Sequence, residues 1–218
     1  MPATILSAAS SELHFLSESV ATIRGFLTPD TCSDLVASMI ASPWEHANVV
    51  RAGESVVDRS LRNCKDHHCP QTVVGAVAKT LLVNFSGVAG QLGTDADSLY
   101  GPYFVSYGEG SYFKCHRDVA NHPDDPVRLA SHRWSLVLYL NGRSTVGKLP
   151  TFDGGSLIIY GTRSGARDRR VVVTPEPGML TLFKSHLMHE VSTITSGTRY
   201  AVAGWMARPD DSIMKEIV

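Results

Sequence analysis

The stretch Arg133-Trp134-Ser135-Leu136-Val137-Leu138-Tyr139-Leu140-Asn141 decides how the chain is read. From Trp134 to Leu140 both faces of an extended backbone are apolar apart from Ser135, which suits a central strand covered on one side by helices. Short strands separated by Gly/Pro/Asp clusters flank it from about residue 101 onward. The candidates are about 102–108, 111–116, 133–140, 155–160, 170–173, 179–184, 188–193 and 198–207. Ahead of them, about 20–27 reads as a strand. Thr28-Pro29-Asp30 then supplies an N-cap, a helix-opening proline and an early acidic residue. Leu35, Val36, Met39 and Ile40 recur at helical spacing, so the pattern predicts a helix over about 29–41. A second helix is predicted over about 71–92 from Val73, Val74, Val77, Leu81 and Leu82, with Gly87 and Gly90 clouding its end. Eight short strands behind two helices predict a mostly β, jelly-roll-like double sheet with helices packed on one face.

The 218 residues fit one domain, and 43% apolar against 19% charged residues is an ordinary globular composition. Lys+Arg 20 against Asp+Glu 21 gives a net charge of -1, which is not the electrostatic footprint of a nucleic-acid binder. Four scattered cysteines suit a reduced compartment. The start Met-Pro-Ala-Thr-Ile-Leu-Ser lacks the pattern of a signal peptide, and no run of about 18 apolar residues offers a membrane span. A cytoplasmic protein without a membrane or nucleic-acid partner is the expectation.

His116-Arg117-Asp118 closes a predicted strand, and residues i and i+2 of a strand share a face, so imidazole and carboxylate can converge. Alone, such a pair is a weak signal. His189, in Leu187-Met188-His189-Glu190-Val191, is the candidate third ligand. Two imidazoles and one carboxylate on one face of an octahedron leave three open positions, the arrangement of Fe(II) oxygenases. A structural zinc would close its tetrahedron instead. Arg199 begins a strand in which Ala201, Ala203 and Trp205 follow on the same face. Its guanidinium fork matches a carboxylate. Taken singly, Arg199 reads better as a surface arginine in a hairpin, and Tyr139 and Trp205 better as core packing.

Jointly, the motifs resemble the prolyl-4-hydroxylase-like branch of the Fe(II)/2-oxoglutarate-dependent oxygenases. The resemblance runs over about residues 20–207. It is carried by Tyr107-Gly108-Glu109-Gly110, His116-Arg117-Asp118, Leu138-Tyr139-Leu140-Asn141 and Gly154-Gly155-Ser156-Leu157. His189-Glu190-Val191, Gly197-Thr198-Arg199-Tyr200, Trp205 and the opening Gly25-Phe26-Leu27-Thr28-Pro29-Asp30 extend it. It implies a single dioxygenase domain over 1–218, with helical support at about 28–92 and a double-stranded β-helix core at about 101–207. By similarity, His116, Asp118 and His189 hold iron, and Arg199 pairs with the far carboxylate of 2-oxoglutarate. Tyr139 and Tyr107 donate to that co-substrate, and Trp205 lines the pocket floor. The family more often carries lysine at the position of Arg199. Fe(II), 2-oxoglutarate and O2 are thereby implied, with room left for ascorbate. The implied reaction is hydroxylation of an aliphatic C–H in a small molecule, an amino acid, or a prolyl or peptidyl substrate. Related halogenases lack the carboxylate of Asp118, so its presence favours hydroxylation.

Two other classes stay open: a non-catalytic binding or sensing module, and a cupin-type metalloenzyme without 2-oxoglutarate. Several residues are set aside. His186 should face away from His189, and Cys115 away from the metal, into packing. Cys64-Lys65-Asp66-His67-His68-Cys69 reads as a polar loop rather than a zinc site. The segment Val119 to Arg133, with His122, Arg128 and His132, reads as a connector or a lid, as does Asn141 to Asp153. Asp58, Arg59 and Arg62 face the pocket or are surface charge.

Overall fold

The computed structural model describes residues 12–161 and 170–208, so the reading of the first seven residues as no leader lies outside the described residues. The chain begins with β1 (His14–Ser17), β2 (Val20–Ile23), α1 (Pro29–Ala41), β3 (Trp44–His46), β4 (Val49–Arg51), β5 (Glu54–Val56), β6 (Arg62–Asn63), β7 (Lys65–His67) and α2 (Gln71–Leu92). It continues through β8 (Ser98–Tyr107), β9 (Tyr112–His116), α3 (Val127–Ser131), β10 (His132–Tyr139), β11 (Phe152–Gly154) and β12 (Leu157–Tyr160). It closes with β13 (Arg170–Val173), β14 (Leu180–Lys184), β15 (His189–Val191), β16 (Ile194–Gly197) and β17 (Arg199–Ala207).

The helices start and stop where their chemistry dictates. The Thr28 hydroxyl accepts a 3.2 Å hydrogen bond from the Thr31 N–H, with Pro29 in the first turn of α1. The end of α2 passes Gly87 and Gly90 unbroken and stops at Gly93, whose φ of 59° lies in the left-handed region. By length and composition α2 is apolar enough to cross a bilayer, which corrects the expectation that no such segment exists. In the fold it turns Val77, Leu81, Phe85, Val88 and Leu92 into the core instead.

Eight strands form one sheet in the order β1-β2-β14-β10-β17-β8-β7-β3, with the apolar β10 in the interior as its patterning requires. One face of this sheet carries α1 and α2, whose Leu35, Val36, Met39, Val77, Leu81 and Phe85 pack with Trp134, Leu136, Leu138 and Leu182. A five-stranded sheet, β13-β12-β15-β9-β6, forms the second layer. Tyr139 and Phe183 of the first sheet meet Leu157, Ile159 and Val173 of the second. This is the double-stranded β-helix expected from the motifs, and its inter-sheet space holds the candidate site.

The differences from expectation concentrate before residue 70. The strand foreseen over about 20–27 ends at Ile23, and five short strands fill 44–67. Cys64 to Cys69 is not a polar loop: Cys64, His67 and Cys69 are buried and β7 pairs with β8. Within the Val119–Arg133 connector lies α3, and His132 and Arg133 belong to β10. Cys115 is exposed rather than packed.

Candidate metal centre

His116 ends β9 and His189 begins β15, and the two are directly paired across the second sheet. Between the pairs His189↔His116 and Val191↔Phe113, β9 takes three steps while β15 takes two. The extra residue is a β-bulge, and it brings both Phe113 and His116 onto the inner face. Phe113 consequently stacks on the His116 imidazole, with ring centroids 3.5 Å apart.

Asp118 lies beyond β9 rather than within it, so strand alternation does not by itself aim its carboxylate. Its backbone does that work. The Asp118 N–H donates to the Ser185 carbonyl at 3.0 Å, and the Asp118 carbonyl accepts from His132 Nδ1 at 2.8 Å. The Ser135 hydroxyl, the one polar side chain in the central stretch, donates to Asp118 Oδ2 at 2.6 Å.

Each imidazole also has its tautomer fixed. Nδ1 of His116 donates to the Lys114 carbonyl at 2.8 Å, and Nδ1 of His189 to the Leu187 carbonyl at 3.0 Å. The Nε2 of each ring is thereby turned toward the carboxylate, placed either to donate to it or to bind a cation. His116 Nε2 lies 3.5 Å from Asp118 Oδ1, and His189 Nε2 lies 3.3 Å from Asp118 Oδ2. All three ligand atoms fall within 4.8 Å of one another. Neighbouring ligands on an octahedral ion with bonds of about 2.1 Å sit roughly 3 Å apart, so the donors fit one divalent cation with little adjustment. Burial opposes ionisation of Asp118, yet the two imidazoles beside it hold its carboxyl well below the usual carboxylate range. His186 is exposed and stands apart from the cluster.

Deeper in the same space lies Arg199, only 1% exposed. Its Cζ sits 5.2 Å from the Tyr107 ring and 5.1 Å from the Tyr139 ring. Room for it comes from Gly155, at φ 58°, where a Cβ would strike Ile194 and press on the arginine stem. Nε and Nη1 of Arg199 are buried without a hydrogen-bond partner, and so are the Tyr139 hydroxyl and Thr181 Oγ1. Burial raises the Tyr139 phenol above its ordinary value against the pull of Arg199, so it remains a donor at neutral pH. A buried guanidinium without an acceptor is costly unless something else supplies one. Nε and Nη1 of Arg199, beside the Tyr139 hydroxyl that Thr181 approaches, form a donor set that fits a carboxylate, which is what the far end of 2-oxoglutarate requires.

A cavity of about 60 Å³ joins the two halves, touching Tyr107, His116, Asp118, His189, Arg199 and Trp205. It adjoins an outer cleft of about 230 Å³ that shares Arg62, Phe113, His116, Asp118 and Trp205 with it. Trp205 is stacked at 5.3 Å and 5° on buried His132. The expected residues His116, Asp118, His189, Arg199, Tyr107 and Trp205 thus border one space, while Tyr139 stands behind Arg199 and does not line it. Ser135, Thr181 and His132 are additions. The first two were visible only as lone hydroxyls in apolar strands, and the third gave no signal of its own.

A model of the 2OG-Fe(II) oxygenase superfamily matches residues 102–207. A PKHD-type hydroxylase of Caulobacter vibrioides is 27% identical over 184 residues, spanning 83% of this chain and 74% of that protein. Among solved structures, a prolyl hydroxylase of Trichoplax adhaerens, in complex with a hypoxia inducible factor oxygen degradation domain peptide, superposes with a TM-score of 0.68 at 18% identity. That match covers 92% of this chain and 87% of the other. A Pseudomonas putida prolyl-4-hydroxylase gives 0.63 at 20% identity, over 87% and 93% of the two chains. These two structures speak for the fold.

Proposed function

We propose, on the premise that the chain belongs to the 2OG-Fe(II) oxygenase superfamily, that it hydroxylates an aliphatic C–H with Fe(II), 2-oxoglutarate and O2 through the residues described above. His116, Asp118 and His189 are the iron ligands in this reading, and Arg199 with Tyr139 and Tyr107 holds the co-substrate. The observation that carries it is the set of unpaired buried donors around Arg199, next to three ligand atoms within 4.8 Å of one another. A sensing module would have no chemical use for both, and a metalloenzyme without 2-oxoglutarate would leave Arg199 unpaired.

When bound, the iron and 2-oxoglutarate supply the oxidation: substrate, 2-oxoglutarate and O2 become hydroxylated product, succinate and CO2. The protein's part is placement. Ser135 and the Asp118 backbone contacts fix the carboxylate, the Nδ1–H bonds fix both rings, and Arg199 fixes how deep the co-substrate sits. Phe183, Leu157 and Val191 exclude water from the inner cavity. Substrate enters by the outer cleft, past Trp205.

The reading includes one domain, supported by a single sheet that joins β1 to β17. It includes a cytoplasmic setting, supported by four unpaired thiols. Its direct test is an anaerobic titration of the Fe(II)-loaded protein with 2-oxoglutarate. A weak visible charge-transfer band is expected, and a protein that binds Fe(II) but never develops the band would refute the assignment.

A further inference from the structure

A second guanidinium borders the metal pocket, and nothing in the co-substrate reading uses it. Arg62 lies on β6, directly paired with Phe113 of β9, so both side chains leave the sheet on the same face. Its Cζ is 4.8 Å from the centre of the Phe113 ring, the ring that stacks on the ligand His116. The side chain lines both the inner cavity and the outer cleft. It therefore stands where one opens into the other.

Its bonding is incomplete. Nη1 donates to the Asn48 carbonyl at 3.0 Å, while Nε is buried with no partner. Among the described residues no carboxylate makes an ion pair with it, and Asp66 acts on it only from a distance. An arginine cannot shed its charge, so a half-buried one without a counter-ion is a standing demand for an anion. Anchoring the Asn48 loop needs one N–H of the five. The side chain also meets Cys64, and with Nε still unpartnered it lines the passage.

The rest of the cleft repeats this bias. Lys114 and Arg117 are exposed at its edge. Its acidic members are otherwise engaged: Asp118 in the metal cluster, and Asp125 by the N–H groups of Gly53, Asn121 and His122. Val49, Val50, Leu61 and Leu129 give the remaining wall an aliphatic stretch, beside Asn48, Asn121 and Trp205. At about 230 Å³ the cleft is smaller than the roughly 300–1,000 Å³ usual for a drug-sized ligand.

We infer that Arg62 is the specificity-determining residue of this site, and that the molecule oxidised is a small aliphatic carboxylic acid whose carboxylate Arg62 binds. The inference rests on the iron and 2-oxoglutarate reading above. Arg199 takes the carboxylate of the co-substrate and Arg62 that of the substrate. The aliphatic wall receives the chain whose C–H is presented to the metal.

The test uses the whole protein loaded anaerobically with Fe(II) and 2-oxoglutarate. The probes are aliphatic acids of about four to eight carbons, free or as N-acetyl amino acids, each beside its primary carboxamide. Binding is read from the shift of the visible band and from the thermal midpoint. In the wild type at least one acid should bind roughly tenfold or more tightly than its amide, as loss of a charge-assisted hydrogen bond demands. Arg62→Gln should bind acid and amide alike, Arg62→Lys should restore part of the preference, and 2-oxoglutarate affinity should stay within about threefold in both. The inference is overturned if no acid outbinds its amide, or if Arg62→Gln keeps the preference. It is equally overturned if Arg62→Gln loses 2-oxoglutarate, which would assign Arg62 to the co-substrate. A band that forms normally without any acid preference sinks this inference alone, whereas absence of the band in the wild type sinks the parent reading with it.

Discussion

The Ser135 hydroxyl donates a 2.6 Å hydrogen bond to Oδ2 of Asp118, and the same oxygen lies 3.3 Å from His189 Nε2. One hydroxyl on the central strand thus sets the rotation of the carboxylate that completes the ligand triangle. Groups that orient a ligand typically govern metal affinity by about ten- to a hundredfold. Ser135→Ala should weaken Fe(II) or Mn(II) binding by about tenfold while leaving the thermal midpoint of the apo-protein nearly unchanged. Metal titration checks this, and wild-type affinity would remove Ser135 from its positioning role.

Removing the carboxylate itself is more severe. In Asp118→Ala two imidazoles remain without an anionic partner, and succinate release coupled to substrate should fall by roughly a hundredfold or more. Turnover at the wild-type rate would take Asp118 out of the site. Circular dichroism of the variant separates lost chemistry from lost fold.

Arg199 makes a prediction with opposite signs in two states. Its unpaired, 1%-exposed guanidinium is a cost to the protein without co-substrate. Arg199→Met, similar in volume and uncharged, should stabilise the apo-protein by about 1–3 kcal/mol in urea denaturation. The same variant should lose most affinity for 2-oxoglutarate, by roughly a hundredfold. The wild type should in turn gain about 2.7 kcal/mol at a hundred times the dissociation constant. A destabilised apo variant would mean that Arg199 has a partner within the fold.

Gly154 precedes the glycine that makes room for Arg199. Its φ is 77°, and a Cβ there would run into the backbone of Thr193 and Thr195. Gly154→Ala should cost about 2 kcal/mol or more, combining left-handed strain with displacement of β16. A change under about 0.5 kcal/mol by denaturant titration would show that the turn adapts.

Long periodic elements were legible in the sequence. The caps at Thr28 and Pro29 and the apolar repeats placed α1 and α2 at their observed bounds, and the two-sided apolar run placed β10 inside its sheet. The strands of residues 44–67 were not legible. Most are two or three residues long, and Arg62 and Lys65 extend only because β9 and β8 lie beside them. That is tertiary pairing overriding weak local preference. At the site, His116, Asp118, His189 and Arg199 were weak candidates one by one and took their roles from the resemblance of the joint motifs. Arg62 was read only as facing the pocket or as surface charge, and Thr181 was not singled out, because an unsatisfied donor is defined by what surrounds it, and surroundings are not written along the chain.

The spare residue in β9 gives the site slack on one strand only. Deleting Lys114 or Cys115 would leave the two ring-bearing positions two steps apart, as His189 and Val191 are opposite, so both rings should still face the cavity on a regular ladder. The partner strand β15 has no residue to spare: without Glu190, His189 and Val191 would become neighbours, and one of them would turn to the solvent side. An insertion in the Asn141–Asp153 connection carries no such penalty. The molecule should therefore accept new length at that rim and lost length in β9, but neither change along β15.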